Sequence, residues 1–219
     1  LVSFERFSFT TQILLQPYSF LRLHQVVQMS ILFLITIIIG YFTLKIITHN
    51  FESLKSKRGT FLGLIFFIGM YFLATGNGIH EVSSFNFNHF CDTRNFSGDL
   101  CGGFFINDYY TGNIFFFIGT TLMTVAIMLL EKLRRNITFT KKDMPILIAN
   151  AAFYALGIFA YAAFDRVWIG LVYSFVVMVI AGGLFLGIKK KYLQYPFITY
   201  TAIIYTVATI VGLLVRINR

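Results

Sequence analysis

The feature that most constrains this chain is the recurrence of long apolar stretches that carry no charge. Hydrocarbon about 30 Å thick takes roughly 20 residues of helix to cross. Five charge-free stretches reach that length: Thr60 to Ile79, Tyr109 to Leu130, Met144 to Phe164, Val167 to Ile188 and Tyr192 to Val215. A sixth, Ile31 to Ile47, contains only Lys45, near one end, where its long stem can carry the ammonium to the headgroups. The expected fold is all-α, a polytopic integral membrane bundle of six transmembrane helices. Composition agrees: 57% of the 219 residues are hydrophobic and only 12% are charged, against about 25% charged in a soluble domain. An ordinary cytosolic enzyme, a disordered tail and a disulfide scaffold are excluded.

The formal charge of +9 would suggest nucleic acid in a soluble protein. In a membrane protein basic residues collect in cytoplasmic loops, so no nucleic-acid partner is inferred and the charge is read as topology. Taking connections alternately, one side holds Lys45, Lys55, Lys57, Arg58, Lys132, Arg134, Arg135, Lys141, Lys142, Lys189, Lys190 and Lys191. The other holds Arg6, Arg22, Arg94, Arg166, Arg216 and Arg219. The richer side is the cytoplasmic one, which puts both termini on the non-cytoplasmic face of a cell or inner membrane.

Residues 29–219 read as a single six-helix domain, because the connections at Asp165 and Arg166 and at Lys189 to Lys191 are too short to hold another. Residues 1–28 stand apart, with Glu5, Arg6, Pro17 and Arg22 in a moderately apolar stretch. Two readings stand for them: an amphipathic segment lying on the bilayer, or sequence upstream of a native start at Met29.

The longest connection, 84–107, lies on the outer side and contains both cysteines. Cys91 and Cys101 sit in one loop facing an oxidising compartment, which predicts a disulfide. Their spacing is not that of a CxxC redox pair, and no second CxxC completes a closed zinc site.

Around this loop the polar residues concentrate. At the end of the second span, Asn77, His80, Glu81 and Ser84 share one helix face at i, i+3, i+4 and i+7. A carboxylate at membrane depth is costly unless paired, so this face should look into the bundle or a wet cavity. His80-Glu81 does not start an HExxH motif, since position 84 is serine, and a metal would have to draw ligands from several segments. Asp108 opens the third span at the depth of Glu81, while the loop adds His89 and Asp92. The fourth span contributes Asn150, Tyr154, Gly157, Tyr161 and Asp165 at helix-neighbour spacing. Six of the nine acidic residues, Glu5, Glu81, Asp92, Asp99, Asp108 and Asp165, fall on the outer side.

Taken singly, these residues have structural explanations: Asp108 as a helix cap, Asp165 and Arg166 as a turn, His80 and His89 as satisfied or solvated. Taken together, two histidines and several carboxylates suit a hard or borderline cation such as zinc. The expected roles are His80, His89 and Asp92 as metal ligands, Glu81 or Asp108 as general base, and Asn77, Asn150, Tyr154 and Asp165 as substrate contacts.

The stretch Asp108-Tyr109-Tyr110-Thr111-Gly112 resembles the DYxG segment of the progestin and adiponectin receptor and alkaline ceramidase superfamily. That resemblance covers about five residues and implies seven-helix zinc amidohydrolase chemistry. The late HxxxH pair of those proteins has no counterpart, because no histidine follows His89.

Three functions from different classes follow. The first is a membrane-embedded, metal-assisted hydrolase or transferase acting on a lipid-like substrate at the outer face. The second is a small proton-coupled transporter using Asn77, His80 and Glu81, and the third an accessory or assembly subunit of a membrane complex.

Overall fold

A computed structural model describes residues 7–133, 139–188 and 191–219. Among the described residues there is no strand, only one antiparallel bridge between Leu14 and Arg22. Six helices are long and apolar enough to cross a membrane: α1 (Leu23–Ile47), α2 (Lys57–Phe90), α3 (Asp99–Leu133), α4 (Met144–Phe164), α5 (Ile169–Gly187) and α6 (Pro196–Ile217). The chain is therefore an all-α multi-pass membrane protein. The basic residues Arg6, Arg134, Arg135, Lys189 and Lys190, and Glu5, lie outside the described residues.

The helices match the expected spans closely where the flanks are short and overrun them where the flanks are polar. α4 has the expected limits. α2 continues 11 residues past Ile79 to Phe90, and α3 begins at Asp99, so the loop expected over 84–107 contracts to 91–98. The 34 residues of α2 make a rod about 50 Å long at 1.5 Å per residue, well beyond the hydrocarbon it must cross. The excess is held by aromatic packing. Phe87 meets Phe96 at 5.2 Å and Phe105 at 5.7 Å between ring centroids, and Phe105 meets Tyr109 at 4.9 Å. Cys91 and Cys101 are joined as expected, with Cα atoms 5.9 Å apart.

Contacts divide the chain into two compact units, Leu1–Phe42 with Met70–Thr120, and Thr43–Gly69 with Thr121–Arg219. In the first unit, α1 and α3 each contain a π-helical segment, Gln28–Leu32 and Asn107–Gly112. The segment before α1 packs on the end of α2, with Phe20 against Phe90 at 5.5 Å and the Arg22 guanidinium 5.3 Å from the Phe85 ring centre. The helix of α1 starts at Leu23, ahead of Met29.

In the second unit α6 packs against both α4 and α5. Half of its apolar window is buried, so α6 is the central helix of this unit. Met128, Ala181, Ile198 and Ala202 form part of its core. Arg216 fastens the α4–α5 turn: its guanidinium donates to the carbonyls of Ala162 and Val167 at 3.1 and 2.9 Å and lies 4.5 Å from the Trp168 ring centre. Trp168 is thus a stacking platform for this arginine.

Candidate functional site

The close approach of α2 and α3 sets the geometry of the first unit. A Cβ on Gly76 would stand 2.2 Å from the Phe116 nitrogen, and one on Gly112 would stand 2.8 Å from the His80 nitrogen. Only glycine lets the two backbones touch there, the usual device for close packing in membranes. His80 lies one turn beyond Gly76, and Asp108 one turn before Gly112. Because the helices run in opposite directions, the two side chains leave the glycine contact toward the same end and meet.

His80 Nδ1 lies 2.8 Å from Asp108 Oδ1 and 3.3 Å from the Asp108 carbonyl oxygen. Asp108 is 2% exposed, so the pairing occurs where water cannot replace it. One fifth of the His80 side chain is accessible. Asp108 is not a helix cap: it sits inside α3, in the π-helical segment. Such segments recur at functional sites because the extra residue re-aims a side chain.

Glu81 is the third member. It is 5% exposed, and its carboxylate acts electrostatically on the His80 ring, as does that of Asp108. No hydrogen-bond donor reaches it among the described residues. Asn77 lies one turn nearer the middle of α2 and is partly buried.

The other expected residues are placed elsewhere. His89 is exposed and stacks on Phe85, with centroids 5.0 Å apart. Asp92 is exposed in the disulfide loop and accepts the backbone N–H groups of Arg94 and Asn95 at 3.0 and 3.4 Å, an Asx turn that satisfies its carboxylate locally. The intended ligand set of His80, His89 and Asp92 is therefore not gathered, and no cluster of three or more His, Cys, Asp or Glu residues suited to a metal occurs among the described residues. Asn150, Tyr154 and Asp165 belong to the second unit. Asp165 follows α4 in the turn held by Arg216, whereas Asn150 and Tyr154 are exposed on α4.

Sequence reasoning missed Glu131. It is 1% exposed, and its two carboxylate oxygens accept the backbone N–H groups of Phe197 and Ile198 at 2.8 and 2.9 Å. These are first-turn donors of α6, which have no partner within their own helix. The available signal was an acid inside an otherwise basic flank, together with Pro196 opening an apolar helix. A second polar contact lies within the apolar layer, where the hydroxyls of Tyr173 and Tyr205 are hydrogen-bonded to each other.

Comparison of the chain with protein families, with curated proteins and with solved structures returns no match.

Proposed function

We propose that this protein is a membrane-embedded hydrolase or transferase acting on a lipid-like substrate, with His80 as its acid–base group. The observation that carries this reading is the buried His80–Asp108 contact. A carboxylate on Nδ1 fixes the ring orientation and stabilises the imidazolium, leaving Nε2 to take and return a proton. Asp108, anticipated as a general base, takes the orienting role here. Glu81 supplies a second carboxylate that acts electrostatically on the His80 ring.

The substrate class follows from the surroundings. His80 stands on α2, a helix apolar enough to cross a membrane, and one fifth of its side chain is accessible, so a molecule reaching it must itself partition into an apolar environment. Zinc or a similar divalent ion stands as an alternative to this reading and not an addition to it, because a metal held by Nε2 of His80 would occupy the atom that proton transfer needs. Elemental analysis of purified protein separates the two.

The test of the activity is product analysis by mass spectrometry after the full chain is reconstituted with native membrane lipids. Wild type should release products at a rate that His80→Gln lowers by about 100-fold or more, the usual scale of acid–base catalysis. Identical lipid profiles with and without protein would overturn the enzyme reading. Proton uptake that is lost in Glu81→Gln, without any product, would transfer the site to the proton-coupled carrier.

A further inference from the structure

A separate feature of the second unit carries an inference independent of the His80 reading. A cavity of about 560 Å³ opens where α4 and α6 begin, lined by Ile47, Ile146, Leu147, Phe197 and Tyr200 together with Asp143 and Asn150 among others. That volume is within the range of small-molecule sites. Its walls are apolar, yet Asn150 presents an amide that makes no hydrogen bond among the described residues. An amide exposed on an apolar helix face calls for a partner that brings its own polar atoms.

The rim supplies the other half of the argument. Lys141, Lys142 and Asp143 are consecutive, and both lysines are exposed. Asp143 Oδ2 accepts the backbone N–H and the hydroxyl of Thr140, each at 2.8 Å, which leaves Oδ1 to a ligand. Asp143 thus lines the mouth, with two exposed lysines immediately before it in the chain and an apolar slot behind it. From Asp143 to Asn150 the helix rises about 10 Å, and side chains lean toward the helix N-terminus, so the amide sits just inside the charged rim.

We propose that this cavity holds one phospholipid with a phosphate-and-amine headgroup from the adjoining leaflet. Its phosphate meets Lys141 and Lys142, its ammonium meets Asp143, an ester group meets Asn150, and an acyl chain runs along Ile146, Leu147 and Phe197. Complementarity of charge selects the headgroup: a purely anionic lipid would place negative charge against Asp143, and a quaternary amine could not donate to it.

The test is native mass spectrometry of the full chain in micelles doped with phosphatidylethanolamine, phosphatidylglycerol or phosphatidylcholine of identical chains. One phosphatidylethanolamine should be retained per protein, in preference to either other lipid by about five-fold, the scale of a single exposed ion pair. Asp143→Asn should remove the preference over phosphatidylcholine, and Leu147→Trp should reduce retention of every lipid. The surface variant K141Q/K142Q, which touches no packed residue, should lower retention without changing the melting temperature. Equal retention of all three lipids, stronger retention of phosphatidylglycerol, or adducts unaffected by K141Q/K142Q would each overturn the proposal.

Discussion

Replacing Glu131 should destabilise the protein more than any change to an exposed charge, and the size can be worked from two hydrogen bonds. Pro196 opens α6 and has no N–H, so Phe197 and Ile198 carry the first free donors, and each is bound by one carboxylate oxygen of Glu131. Ile198 is fully buried, so water cannot take the place of the carboxylate there. An orphaned buried donor costs about 1 to 3 kcal/mol, and the negative charge also sits favourably against the positive end of the helix dipole. Glu131→Ala removes both acceptors and should cost about 3 to 5 kcal/mol, the range for removing one member of a buried polar pair. Glu131→Gln keeps one acceptor oxygen and loses the charge, and should cost about 1 to 3 kcal/mol. Equilibrium unfolding in mixed micelles, followed by circular dichroism, measures both. If both variants stayed within about 0.5 kcal/mol of wild type, the buried-cap account of α6 would be wrong.

Other consequences can be checked alongside. Gly76→Ala would drive a Cβ to 2.2 Å from the Phe116 nitrogen, so it should lower stability by about 1 to 3 kcal/mol, measured in the same unfolding experiment, whereas Gly78→Ala, with open space around it, should not. Cys91 and Cys101 should resist alkylation in native membranes until a reductant is added. Free reactivity before reduction would contradict the pairing. The split of basic residues leads us to expect both termini on the non-cytoplasmic side, in which case single cysteine probes at Ser56 and Thr140 should label only from the cytoplasm. Labelling of both from outside would reverse that topology.

Six spans were legible because membrane insertion is decided by local composition, which is a property of the sequence alone. The disulfide was legible for a similar reason: two cysteines ten residues apart in one connection have no other partner. His80, Glu81 and Asp108 could be placed at one depth from span limits, but their pairing could not, since it depends on Gly76 and Gly112 bringing two backbones together. Helical spacing also suggested that Asn150 and Tyr154 served the same constellation, although they belong to the second unit. The extension of α2 through Ser84 to Phe90 escaped notice because polar residues there read as loop, while the packing of Phe87, Phe96 and Phe105 that supports the helix is tertiary. Glu131 was hidden by its neighbours: in a flank rich in lysine and arginine, one acid looks like surface charge until its carboxylate is seen against α6.

The central claim is that Asp108 holds Nδ1 of His80 and leaves Nε2 to do acid–base work. Nitrogen-15 NMR of histidine-labelled protein in micelles tests it most directly, with His80 assigned by its loss in His80→Gln. The account predicts a protonated, hydrogen-bonded Nδ1 in the wild type, and its disappearance in Asp108→Ala while the other three histidines keep their signals. A His80 ring with an unprotonated Nδ1, or one whose spectrum is the same in Asp108→Ala, would contradict it.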